Sequence, residues 1–170
     1  TITSLGYSNK IIYRNKAKLN DDIYVTGNLG DSYLGLKLLK NKVNVNKKDK
    51  LFFINKYYKP ELPLSLTKYI FKFANSSIDI SDGLFDDLSK MINKQNLSYH
   101  LFENKIPVSK KLNNFIKNQR LNKINLISNG DDYQILFSAS VNKSRIIQNA
   151  SEATGIKITK IGKIVSGKNR

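Results

Sequence analysis

The sequence predicts an α+β domain, helices layered on a sheet, and three observations carry that expectation. Strand-like alternation and helical stripes are interleaved along all 170 residues, with both short turns and helix-length connections between them. Hydrophobic residues make up 40% of the chain, enough for one core of ordinary domain size and too little for a second full domain. No stretch approaches the roughly 18 uninterrupted apolar residues that a bilayer span needs, and the opening TITSLGYSNK lacks the basic-then-apolar layout of a signal peptide. A soluble protein is therefore expected, and a cytoplasmic one fits. The strand-like start TITSL, without an initiating Met, points to a piece of a longer protein.

The elements follow in order. DDIYVTG alternates Ile23 and Val25 with Tyr24 and Thr26 and stops at Gly27, as a strand does. GDSYLGLKLLKN then spaces Leu34, Leu38 and Leu39 as a helix, with Asp31 or Ser32 as its N-cap. KLFFINKYY is a second helix, ended before Pro60 and Pro63, and LTKYIFKFA a third with Leu66, Ile70 and Phe73 on one side. SSIDI is a short strand whose Asp79 faces away from Ile78 and Ile80. GLFDDLSKMIN sets Leu84, Leu88, Met91 and Ile92 on one helical stripe, leaving Asp86 and Asp87 in the first turn. A strand near LSYHLF, a turn at IPVS and a helix near KKLNNFIKN come next. SNGDDYQILFSAS reads as an Asn-Gly turn opening a strand with Tyr133, Ile135 and Phe137 alternating. KSRIIQNASEATG is a helix stopped by Gly155, and IKITKIGKI a last strand.

Composition excludes some chemistry. There is no cysteine, so disulfides and thiolate metal sites are ruled out, and the single histidine, His100, sits in an apolar run and reads as a packing residue. A formal net charge of +16 raises a nucleic-acid-binding hypothesis. Against it, the lysines are scattered from Lys10 to Lys168 together with abundant Asn and Ile, the joint bias of AT-rich coding, and no basic run has the density of a binding arm.

The acids are not scattered. Of thirteen Asp and Glu, Asp79, Asp82, Asp86 and Asp87 fall in the fifteen residues SSIDISDGLFDDLSK. Asp79 leaves the end of a strand, Ser81 and Asp82 occupy a turn, and Gly83 permits close backbone approach before a helix whose N–H groups could face a phosphate. Hard oxygen donors at this spacing suit Mg²⁺, which holds a few carboxylates and takes water and phosphate oxygens for the rest. Capping and the helix dipole account equally well for Asp82, Asp86 and Asp87. They do not account for Asp79, which tips the reading toward a metal. A second cluster, Asp131–Asp132 after Gly130, reads by itself as an Asx-rich turn, and Asp21–Asp22 more so.

RNKAKLNDDIYVTGNLGDSYLGLKLL, IDISDGLFDDL, IPVS, NGDDYQILF and ITKIGKI, in that order and spacing, resemble the C-terminal half of the thiamine-monophosphate kinase family, over about Arg14 to Gly167. That family sits in the aminoimidazole ribonucleotide synthetase-like superfamily. The resemblance implies a layered α/β/α domain with a mixed, largely antiparallel sheet over residues 21–170, preceded by an interdomain segment or the end of an N-terminal domain over residues 1–20. It implies ATP-dependent phosphorylation of thiamine monophosphate to thiamine diphosphate, with ATP as co-substrate, Mg²⁺ as cofactor and a homodimer as the assembly. Residue by residue, it implies that Asp79 and Asp82 bind Mg²⁺, that Ser81 and Arg14 contact the nucleotide, and that Asp131 meets the thiamine phosphate. Three positions depart from the family pattern: Asn129 stands for a usual glycine, Asp131 for a glutamate, and Gln134 for another acid. A sister enzyme of the superfamily with another acceptor would share DISDGL but lack GDDYQILF, and a nucleic-acid-binding domain would not cluster acids in its most motif-like segments.

Overall fold

Ile23 and Val25 point to one side of their strand and Tyr24 to the other, and all three are buried, so this strand must run through the middle of a covered sheet. The computed structural model, which describes residues 3, 5–8 and 10–167, places it there. The elements are β1 (Asp22–Thr26), α1 (Asp31–Leu39), α2 (Lys47–Tyr58), β2 (Ala74–Asp79), α3 (Leu84–Ile92), β3 (Leu97–Leu101), α4 (Lys110–Gln119), α5 (Ile124–Ile127), β4 (Ile135–Ala139), α6 (Ser144–Thr154) and β5 (Ile158–Ser166). The five strands lie in the order β2-β4-β1-β5-β3, and each neighbouring pair is antiparallel. The fold is α+β, with a sheet more uniformly antiparallel than a mixed one.

Each face of the sheet has its own cover. On one, Ile23, Val25, Leu136, Ile161 and Ile164 meet Leu84, Leu88, Met91 and Ile92, the stripe of α3, each buried. Burying such a side chain contributes about 2 kcal/mol relative to leaving it exposed. On the other, Tyr24 stacks on Phe137 with ring centroids 5.2 Å apart, and Ile147 and Ala150 of α6 close over them. A third cluster, Leu34, Leu38, Phe53, Leu112, Phe115 and Leu126, belongs to α1, α2, α4 and α5 alone.

Two elements differ from their sequence pattern. LTKYIFKFA forms two 3₁₀ turns, Leu64–Lys68 and Ile70–Lys72, rather than one α-helix. Its apolar side is as expected, with Leu66, Ile70 and Phe73 buried against Phe137 and α6, but the chain enters β2 at Ala74, which leaves no room for an α-helical C-terminus. The strand of NGDDYQILF begins at Ile135, leaving Tyr133 outside it, exposed and at φ 50°. His100 is exposed on β3 and lies edge-on to Phe102, a surface contact rather than core packing. Among the described residues no helix is long and apolar enough to cross a membrane.

Candidate active site

Antiparallel pairing brings the C-terminal ends of β1 and β2 beside the start of β4, so three loops meet at one end of the sheet: Gly27–Gly30, Ile80–Gly83 and Ser128–Gln134. Backbone bonds lace them together. Asp131 N–H donates to Ser81 O at 3.1 Å, Tyr133 N–H to Ile80 O at 2.9 Å, and Ile80 N–H to Gln134 O at 2.8 Å. Two glycines make this approach possible. A Cβ on Gly130 would stand 1.7 Å from Ser81 O, and one on Gly83, at φ 127°, would stand 2.1 Å from Ser128 O. Gly83 therefore makes room for the neighbouring loop rather than for a ligand.

Buried carboxylates hold the junction. Asp87 is fully buried, and its Oδ2 accepts the N–H groups of Ser81, Asp82 and Gly83 at 3.0, 3.0 and 3.2 Å. The loop before α3 is thus wrapped around a carboxylate from its own helix, and neither Ser81 nor Asp82 caps that helix through its side chain. This corrects one expectation: Asp87 does more than favour the helix dipole, because it takes up the amides of Ser81, Asp82 and Gly83 that precede the helix.

Asp132 does the same for α1. Its carboxylate accepts from Gly30 N at 2.7 Å and Ser32 N at 3.4 Å, across about a hundred residues of sequence. The N-cap of α1 is Gly30, at φ 86° and with no side chain to offer, rather than Asp31 or Ser32, so Asp132 supplies the missing acceptor from another loop. Burial pushes the Asp132 carboxyl up to about 7, although the two N–H bonds favour its anion. Asp31, buried beside it, is pushed up to about 6 by burial, opposed by the hydroxyl of Ser109, which donates to Asp31 Oδ1 at 2.7 Å. Ser109 also caps α4, and Pro107 O accepts the Leu29 N–H, so the IPVS segment braces the loop after β1.

Gln134 closes the floor. Its Oε1 accepts from Thr26 Oγ1 at 2.8 Å and its Nε2 donates to Glu61 O at 2.9 Å, a donation that a carboxylate at this position could not make. Beside it opens a cleft of about 300 Å³, bordered by Asp31, Asp132 and Gln134 and by the ion pair Lys56–Glu61 at 2.6 Å.

The predicted site residues are arranged unevenly around this junction. Asp79, paired with Ile135 in the ladder, and Asp82 in the loop are both exposed, and Ser81 between them is half-buried. Asp131, half-buried at φ 66°, is joined to Ser81 through its own backbone. These four are brought together. Arg14 is exposed in a turn well before β1 and makes no ion pair among the described residues. Lys90 of α3 pairs with Asp82 and, at 2.7 Å, with Asp87. Those two carboxylates hold its ammonium well above the usual lysine range. Among the described residues no three His, Cys, Asp or Glu side chains gather to hold a metal ion.

No protein-family model matches the chain. Individual proteins do. A thiamine-monophosphate kinase of Buchnera aphidicola subsp. Acyrthosiphon pisum is 38% identical over 158 residues, 87% of this chain and 47% of that protein. The crystal structure of thiamine-monophosphate kinase from Stenotrophomonas maltophilia K279a superposes with a TM-score of 0.83 at 26% identity, over 93% of this chain and 51% of the other. AaThiL complexed with AMPPCP and TMP matches with a TM-score of 0.79 at 29% identity, over 93% of this chain and 49% of the other. Over the matched stretch, this chain is similar to thiamine-monophosphate kinases. It spans about half the length of the relatives it matches.

Of the segments that carried the resemblance in sequence, the loops of VTGNLGD, DISDG and NGDDYQ converge in space, braced by IPVS, and Arg14 is not brought to them. What sequence reading missed are the acids that organise the site. Asp87 had a signal: with Leu84, Leu88 and Met91 it completes an i, i+3, i+4, i+7 stripe, so it lies on the buried face of α3. Asp132 had none, because its partners lie about a hundred residues away.

Proposed function

We propose that this chain is the C-terminal half of an enzyme that transfers the γ-phosphoryl group of ATP to thiamine monophosphate, releasing ADP and thiamine diphosphate. The observation that carries the reading is the junction itself: loops that resemble the family's nucleotide and acceptor segments share a backbone bond from Asp131 N–H to Ser81 O at 3.1 Å. Residues 21–170 form the domain and residues 1–20 the lead-in from a preceding one. The enzyme works in the cytoplasm as a homodimer, a reading taken from the family and compatible with the absence of a membrane-crossing helix among the described residues.

Asp79 and Asp82 are hard oxygen donors, both exposed at one loop, and their chemistry fits Mg²⁺. Two carboxylates are too few for a closed protein cage, which also fits an ion that keeps waters and takes phosphate oxygens. Bound there, magnesium would neutralise charge on the phosphates during transfer. The chain's own residues hold the rest: Asp87 fixes the loop, Ser81 offers its hydroxyl and Arg14 its guanidinium to the nucleotide, and Asp131 faces the acceptor.

ADP release by the full-length protein with ATP, Mg²⁺ and thiamine monophosphate tests the reading, and no ADP above the acceptor-free rate would overturn it. Asp131→Ala then separates the two sides of the site. The expected result is a roughly tenfold rise in KM for thiamine monophosphate with KM for ATP little changed, the scale of one lost contact to a charged group. Equal rises for both substrates would remove Asp131 from the acceptor side.

A further inference from the structure

With the amides of Ser81, Asp82 and Gly83 bonded to Asp87, the side chains this loop exposes most are the carboxylates of Asp79 and Asp82, with Ser81 half-buried between them. With two exposed carboxylates the loop favours a cation. One cation of the chain already reaches it. Lys90 lies eight residues beyond Asp82 on α3, and its ammonium donates to Asp82 Oδ2 and to Asp87 Oδ1, the latter at 2.7 Å. We infer that Lys90 is a tethered counter-ion that occupies Asp82 in the metal-free protein and gives it up when a divalent cation binds, so that Lys90 sets the metal affinity of this loop. The inference rests on the proposed role of Asp82 as a metal ligand.

The geometry suits an exchange. The two partners of Lys90 differ: the Asp82 side chain is 61% exposed, while Asp87 is completely buried. An exposed pair is held weakly and opens to solvent, whereas the buried one persists. Lys90, itself 37% exposed, can therefore release Asp82 and remain on Asp87. Asp87 keeps its three backbone donors throughout, so the loop retains its shape in both states. In the metal-free state the ammonium offsets the negative charge of Asp82 and Asp87. In the bound state the same positive charge, a few ångströms from a divalent ion, opposes binding.

Mn²⁺ is the probe, titrated by the electron paramagnetic resonance of the free ion into full-length protein without nucleotide or thiamine monophosphate. Lys90→Met is expected to bind Mn²⁺ roughly three- to tenfold more tightly than wild type, the range given by removing one exposed ion pair and one nearby like charge. Lys90→Arg, which keeps the charge, is expected to match wild type, and Asp82→Asn to lose the site. Damage to the fold would weaken binding, so tighter binding cannot come from a merely structural role for Lys90. Unchanged or weaker Mn²⁺ binding by Lys90→Met overturns the inference, as does wild-type binding that Asp82→Asn leaves intact. If Lys90→Met does not fold, Lys90→Gln, which keeps a polar head for Asp87, decides by the same criterion. The kinase assay is read separately: absence of product overturns the proposed function without touching the Mn²⁺ result.

Discussion

At the end of the sheet where β1 begins, Asp21 accepts from Ser138 Oγ at 2.8 Å, from Asn75 Nδ2 at 2.9 Å and from Lys18 N at 3.0 Å, and Ser76 and Ser138 share a hydroxyl contact at 2.9 Å. Its neighbour Asp22 lies 2.7 Å from Lys160 Nζ, an ion pair without an aligned hydrogen bond. Asp21 and Asp22 are both buried. At the end where β1 stops, Asp87 and Asp132 are buried and bonded in the same manner, but Asp79 and Asp82 are left exposed. The two ends differ in what their buried acids leave behind. At the first, Asp21 completes a polar network with Ser138, Asn75 and Lys18, and Asp22 is taken up by its ion pair with Lys160. At the second, the buried acids bend loops so that Asp79 and Asp82 stay exposed, Asp82 paired with Lys90, an arrangement that suits the proposed cation-binding role.

That difference can be broken from either side. The largest effect is expected of Asp87→Ala, which strands three backbone N–H groups and removes the buried one of the two partners of Lys90. A loss of about 3 to 5 kcal/mol in urea unfolding is the scale for a buried, multiply bonded carboxylate, and activity should fall with it because the loop carrying Asp82 is released. Asp21→Ala should lose a comparable share of stability, yet the protein that remains folded should turn over at the wild-type rate. If Asp21→Ala abolishes turnover in folded protein, the two ends are not functionally distinct.

Asp79→Asn and Asp82→Asn invert that pattern. Each keeps side-chain shape while removing a charged oxygen from an exposed position, so turnover should drop roughly 100-fold with unfolding free energy within about 1 kcal/mol of wild type. An Asp82→Asn protein that keeps its activity and loses only melting temperature would return the residue to a helix-terminus role.

How much of this was legible follows the range of the forces involved. The stripe of α3 and the alternation of β1 are local patterns repeated at 3.6 and 2 residues, and both appear in the structure as they read in the sequence. Gly155 stops α6 at φ 68°, again a local property. The start of β4 was not legible, because Tyr133 is held out of the strand by Asp132 reaching to α1 and Gln134 reaching to Thr26 and Glu61. The N-terminus of α1 failed for the same reason: Gly30 follows no capping rule until the distant Asp132 is placed beside it. The exposed acids of the loop were visible as a motif; of the buried acids beneath them, Asp87 lay on the apolar stripe of α3, while Asp132 acts through contacts no local pattern records.

The raised carboxyls of the loop end give a pH signature. Asp132 at about 7 and Asp31 at about 6 both stand above the ordinary value of 3.8, so between pH 4 and 7 the folded state binds more protons than the unfolded one. Their contribution to stability is therefore full below about pH 4, declines as pH rises through 6 and 7, and is flat above. Urea midpoints should fall between pH 5 and pH 8 by the equivalent of about 4 kcal/mol. Asp132→Asn, which cannot titrate, should flatten most of that slope, and an unaltered slope would mean that Asp132 is ionised throughout.

The smallest effect belongs to Ser81→Ala, and it tests how the loop divides its labour. Ser81 serves the structure through its backbone: its N–H goes to Asp87 and its carbonyl accepts the Asp131 N–H. Alanine keeps both, so the loop and its link to the acceptor side should survive and the melting temperature should stay near wild type. What would disappear, in the role proposed for Ser81, is one neutral hydroxyl contact to the nucleotide, worth about 1 kcal/mol, so turnover or KM for ATP should change by no more than about tenfold. KM for thiamine monophosphate should stay put, because Asp131 keeps its backbone partner. A rise confined to thiamine monophosphate would mean that the hydroxyl, rather than the carbonyl, carries the coupling between the two sides, and that the loop is less rigidly held by Asp87 than its three bonds imply.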